Sequence, residues 1–211
     1  MGFDEAMKIA ARVADKAVAR AMRKYRDELV TDEDDLTGVL VGQLDAAFEA
    51  SRAGDEHGVR WSSSILRHRK GVAGEEKRIG ADMIIHVSLS SPIQSYSKAV
   101  LIQAKRHEPG AIMSSSQHRD LVSQCQKMLD ITPASFVFDY ARNTMRCGSA
   151  TKVSGSKNAD LYSTCDWTSY RFFLELFRCP IGDPRITSAK ASDLPVPIAL
   201  FLKGEGNISS P

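Results

Sequence analysis

The stretch "RIGADMIIHVSLSSPIQSYSKAVLIQAKR", residues 78–106, holds two apolar runs on either side of a polar, proline-bearing centre. Side chains alternate faces along a strand. Met83, Ile85, Val87 and Leu89 share one face of the first run, and Val100, Ile102 and Ala104 share one face of the second. The spacing predicts strands over 80–89 and 98–106, closed by a loop over 90–97. Burying both apolar sets together sets the register at 83 opposite 104, 85 opposite 102 and 87 opposite 100. Asp82 then faces Lys105, with Gln103 two residues away on the same face. An acid, an amide and an amine thereby gather at one end of one sheet face.

Upstream, residues 3–28 read as a long helix, with Phe3, Met7, Ala10, Ala14, Ala17, Ala21 and Tyr25 forming an alanine-rich stripe. "VTDEDDLTGVLVGQLDAAFEA" starts a second helix, capped by Thr31 or Asp32, with acids in the first turn where the helix dipole favours them. Leu36, Leu40, Leu44 and Phe48 are its buried stripe, and Glu33 sits at the edge of that face. Residues 59–70 read as a strand with a basic end. Downstream, "SSSQHRDLVSQCQKMLDI" reads as a helix with Leu121, Cys125, Met128 and Leu129 inward, and "ASFVFDYA" as a strand. "DWTSYRFFLELF" reads as a helix, "VPIALFLKG" as a last strand and "GEGNISSP" as a loose tail. The order predicts an α/β or α+β sandwich around a mixed sheet.

The predicted cluster suits metal-assisted phosphodiester cleavage. Carboxylates hold Mg²⁺, which keeps several of its waters. The metal activates a bound water and neutralises charge on the phosphate. A lysine beside it orients that water or stabilises the charge that develops. The plain readings of the same residues are a turn-capping Asp82, a Lys105 guarding a strand edge, and a Gln103 on a solvated face.

"GAD" followed by "IQAK" resembles the core of the PD-(D/E)xK nuclease superfamily, in the D…QxK form of Mrr-like restriction nucleases. The acidic helix before it and the helix and "FVFDY" after it are similar to that core's αβββαβ order, over residues 31–141. The resemblance implies a restriction-endonuclease-like fold and a Mg²⁺-dependent, or Mn²⁺-dependent, endonuclease acting on DNA, with RNA as the other candidate substrate. It implies Asp82, Gln103 and Glu33 as metal ligands, with Asp34 or Asp35 as fallbacks for Glu33, and Lys105 as the catalytic lysine. It also puts Gln124, on the following helix, near the site. Gln103 departs from the usual Glu or Asp, and a neutral amide binds Mg²⁺ less well than a carboxylate. Relatives of this type imply a bacterial anti-phage or mobile-element setting. The alternative is a nuclease-like scaffold without catalysis that binds nucleic acid or a partner protein in a defence complex.

With 211 residues and 43% hydrophobic content, the chain can bury one sizeable core. Its reading divides into an N-terminal helix for docking or dimerisation (1–30), a nuclease-like domain (31–203) and a flexible tail (204–211). Residues 1–58 carry 8 Lys/Arg against 13 Asp/Glu, whereas residues 59–107 carry 9 against 3. The basic segment fits phosphate, with Arg67, Arg69, Lys70, Lys77, Arg78 and Arg106 around the cluster and His107 beside them. Cys125, Cys147, Cys165 and Cys179 lack zinc-ligand spacing, which argues against a zinc site or a disulfide framework. No apolar run is long enough to span a membrane and the start lacks a signal-peptide pattern, so a cytoplasmic protein without membrane attachment is expected. The expected partners are DNA and either a second copy or a partner subunit.

Overall fold

Strands buried on both faces read as nearly continuous apolar runs, and three strands of this chain have that character. They are β2 (Met83–Ser90), β3 (Ser95–Arg106) and β4 (Ser135–Ala141). The computed structural model describes residues 2–51, 58–67, 79–206 and 208. The three strands are the middle of a seven-stranded mixed sheet. β1 (Arg60–Arg67) and β7 (Ile198–Glu205) lie beyond β2, and β5 (Thr144–Ser149) and β6 (Trp167–Thr168) lie beyond β4. The order across the sheet is β1-β7-β2-β3-β4-β5-β6. β7 runs parallel to β2 and separates it from β1, and β3 runs parallel to β4.

Helices cover both faces of this mixed α/β fold. On one face lie α1 (Phe3–Arg26) and α2 (Glu33–Ser51), joined by a later helix, Ser169–Arg178. The alanine stripe of α1 is buried and lets it pack closely on its neighbours. Leu36, Leu40, Leu44 and Phe48 of α2 are fully buried, as the periodicity predicts. Asp32 caps α2, its Oδ1 accepting from Asp34 N at 2.9 Å. On the other face, α3 (Ser115–Ile131) makes the crossover between parallel β3 and β4. It starts in a reciprocal capping box between Ser114 and Gln117. Leu121, Cys125 and Met128 are buried and Leu129 is partly so. Short helices follow: α4 (Ala150–Gly155), α5 (Leu161–Thr164), α6 (the Ser169–Arg178 helix) and α7 (Ser188–Asp193).

The β2–β3 hairpin keeps the predicted faces but not the predicted register. Met83 lies opposite Ile102, Ile85 opposite Val100 and Val87 opposite Lys98, a slide of two residues. A slide of two returns every side chain to its own face, so burial alone cannot separate the two registers. The turn decides. The strands continue to Ser90 and Ser95, and Ser91 Oγ closes the short connection by donating to Gln94 O (2.7 Å) and accepting from Gln94 N (3.1 Å). In consequence Asp82 faces Gln103 rather than Lys105, and its amide donates to Ile102 O at 2.9 Å.

Gly80 fixes how the chain enters this hairpin. It has φ +76°, and a Cβ there would stand 2.4 Å from Gln124 O and 2.9 Å from Gln124 Cα. Only glycine allows the backbone before Asp82 to cross α3 this closely.

Candidate active site at the end of β3

Asp82 and Gln103 form a tight pair. Asp82 Oδ2 accepts from Gln103 Nε2 at 2.5 Å and from Ala104 N at 2.7 Å. Burial pushes the Asp82 carboxyl up to about 7, against smaller opposing contributions from the Ala104 amide and the Lys105 charge. Glu33 and Asp34 are also close enough to raise it. Gln103 is 2% exposed, and its Nε2 has a second acceptor in Ala104 O. Its Oε1 is buried without a hydrogen-bond partner.

Lys105 and Glu33 form the second pair, at 3.2 Å. Glu33 opens α2, and the next turn of that helix is pinned to the sheet: Thr37 Oγ1 bonds back to Glu33 O and lies 3.2 Å from Tyr140 Oη on β4. Lys105, which the predicted register sets opposite Asp82, instead meets an acid from another element. Both side chains remain partly exposed, at 21% and 31%. The four residues predicted for catalysis and metal binding converge as two neighbouring pairs, Asp82–Gln103 and Glu33–Lys105.

Two clefts open onto these pairs. One, of about 560 Å³, is walled by Gly80, Asp82, Gln103, Ser123, Gln124 and Lys127. The other, of about 450 Å³, is walled by Glu33, Lys105, Arg106, His107, Gln117 and Gln124. Asp120 and Gln124 of α3 belong to both. Gln124 thus lines both clefts, and its Oε1 is also buried and unpartnered.

The basic residues divide differently. Arg106 lines the second cleft with its guanidinium over the Tyr25 ring, 5.7 Å from the centroid. Arg67 instead rests on Gly38 of α2, in a separate cleft that also holds Asp34 and Asp35. Those two acids, the fallbacks for Glu33, therefore line a different cleft from Lys105. Arg69, Lys70, Lys77 and Arg78 lie outside the described residues.

Two further residues join the site. Asp139 lies beside Lys105 in the β3–β4 register and is fully buried. Its Oδ1 accepts from His107 N at 3.0 Å, its Oδ2 has no partner, and burial raises its pKa. His107 was expected only as a flanking residue, and its ring in fact helps wall the second cleft. The signal for Asp139 was available in sequence: an acid inside the apolar strand "FVFDYA", the same anomaly that singles out Asp82.

A group of three or more His, Cys, Asp or Glu side chains close enough to share a metal ion does not occur among the described residues. Oxygen ligands of the Mg²⁺ kind would be drawn from a mixed set, carboxylates together with the unpartnered amide oxygens of Gln103 and Gln124. Nor is any helix among the described residues long and apolar enough to cross a membrane. No protein-family model matches the chain, and none of the curated proteins matches it.

Proposed function

We propose that the corner formed by Asp82, Gln103, Lys105 and Glu33 is the active site of a Mg²⁺-dependent nuclease with a PD-(D/E)xK-type core. One observation carries the reading. Two buried amide oxygens without a hydrogen-bond partner, Gln103 Oε1 and Gln124 Oε1, belong to residues that wall one cleft together with Asp82. Buried polar groups are almost always satisfied, so such a pair calls for an ion, water or ligand. The element order α2-β1-β2-β3-α3-β4 supports the reading further.

The residues present fit a hard divalent cation. Asp82 supplies a carboxylate on a desolvated wall, Gln103 an amide oxygen with nothing else to bind, and Glu33 a second acid. Mg²⁺ needs few protein ligands because it retains water. When bound, the cation lowers the pKa of a water and offsets charge on the phosphate. The protein's share follows from its own geometry. Asp82 is held by Ala104 N and Gln103 Nε2, so its carboxylate is oriented before any ligand arrives. Lys105 is a fixed positive charge held by Glu33, placed to draw in a phosphate and stabilise the charge that grows during water attack. Arg106 adds a second cation at the same cleft for the nucleic-acid backbone.

The test is cleavage of supercoiled plasmid, and of RNA of matched length, in Mg²⁺ and in Mn²⁺. Wild type is expected to cut and Lys105→Ala to be slowed by about 10²–10³-fold. Equal cutting by both would move the activity elsewhere. Binding of nucleic acid without cleavage by either would favour the non-catalytic scaffold, the role in which the neutral Gln103 matters least.

A further inference from the structure

His107 immediately follows β3, and two interactions fix it. Its amide donates both to Asp139 Oδ1 (3.0 Å) and to Tyr140 O (3.1 Å), so the residue is tied to β4. Its ring then turns back over the same acid, with Nδ1 3.6 Å from Asp139 Oδ1. Asp139 is 0% exposed and keeps Oδ2 without a partner, whereas the His107 side chain is 14% exposed and walls the cleft that holds Lys105 and Glu33.

A carboxylate buried only for packing has no need of an imidazole aimed at a neighbouring cleft. The contact is electrostatic and longer than a hydrogen bond, and a carboxylate at that edge favours a ring that turns its other edge away, toward the cleft the residue lines. The two ring nitrogens lie on opposite edges, so an Nδ1 turned to Asp139 leaves Nε2 on the edge away from it. An alkoxide is a poor leaving group without a proton, and His107 is the histidine that lines the cleft holding Lys105 and Glu33.

Resting on the nuclease reading, we propose that His107 is the proton donor to the departing oxygen and that Asp139 is its positioning residue. The attacking water's oxygen forms a bond to phosphorus, the ester P–O bond breaks, and the imidazolium gives its Nε2 proton to the departing oxygen. The water's surplus proton goes to solvent, and the imidazole regains a proton from solvent. The sum is diester plus water giving alcohol plus phosphomonoester.

The experiment compares two duplex substrates, one with natural linkages and one with sulfur bridging at the leaving position, whose thiolate departs without a proton. Wild type, His107→Ala, His107→Gln and Asp139→Asn are assayed in Mn²⁺, after unfolding curves establish that each variant folds. The histidine variants should lose about 10²-fold or more on the natural duplex and less than about fivefold on the sulfur-bridged one. Added imidazole should restore part of the loss in His107→Ala, and Asp139→Asn should show the same split at smaller amplitude. Equal loss on both substrates, or no loss on either, overturns the assignment while leaving the nuclease reading intact. A wild type inert on both substrates overturns the two together.

Discussion

Asp183 and Asp82 are acids set against the same strand, β3, with opposite surroundings. Asp183 exchanges backbone hydrogen bonds with Ala99, and its carboxylate is saturated. Its oxygens accept from Arg185 N (2.9 Å), Arg185 Nε (3.0 Å), Arg185 Nη2 (2.7 Å) and Thr132 Oγ1 (2.7 Å). The Arg185 side chain holds the acid well below the usual carboxylate range. Asp82 has one backbone amide and one neutral amide, sits beside an unpartnered oxygen, and is pushed up to about 7 by burial. The first acid is complete and serves the fold. The second is incomplete within the chain, as its proposed role as a metal ligand requires.

The largest effect expected from this contrast is on catalysis. Asp82→Ala should abolish divalent-dependent cleavage, down by about 10³-fold or more, whereas Asp183→Asn should leave the rate per folded molecule unchanged. Initial rates on plasmid, corrected for folded fraction, check this.

Stability should move the other way. Asp183→Ala removes a saturated acid and leaves the Thr132 hydroxyl without the acceptor for its proton, and should cost about 2–4 kcal/mol in urea unfolding. Asp82→Asn removes the burden of burying a charge and should stabilise the metal-free protein at pH 8 by about 1–2 kcal/mol. The pH dependences follow with opposite signs. The Asp82 carboxyl titrates higher folded than unfolded, so its contribution is fully present below about pH 4 and is lost as pH rises through about 7. Asp183 titrates lower folded than unfolded, so its contribution is present above about pH 4 and is lost as pH falls below that. Urea midpoints against pH for wild type and the two Asn variants separate the curves.

Gln103→Glu sharpens the contrast further. A second carboxylate 2.5 Å from Asp82 Oδ2 should lower the metal-free Tm by a few degrees, and Mg²⁺ should restore it. The smallest effect belongs to Arg106→Ala, a few-fold weaker DNA binding with a shallower salt dependence, read by titration at several salt concentrations.

The residues of the site were more legible in sequence than its geometry. Asp82, Gln103 and Lys105 stood out because polar groups at the end of apolar strands need a reason, and alternation put them on one face. Glu33 was legible from its place before the buried stripe of α2. The register was not, because two pairings that differ by two residues bury the same side chains and only the Ser91–Gln94 turn chooses between them. The position of β7 between β1 and β2 was equally hidden, since an apolar strand does not name its neighbours. β5 was missed because "TMRCGS" carries little apolar alternation, although Met145 and Cys147 are buried. His107 gave no periodic signal because it lies just past the strand.

A metal-ligand role for Asp82 ties its desolvated carboxyl to Mg²⁺. Its most direct test is thermal unfolding of wild type and Asp82→Asn at pH 8, each with and without Mg²⁺. Asp82→Asn is expected to be the more stable without metal, and Mg²⁺ to raise the Tm of wild type alone. A less stable Asp82→Asn together with a wild type indifferent to Mg²⁺ would contradict that role, and would make Asp82 a structural acid of the same kind as Asp183.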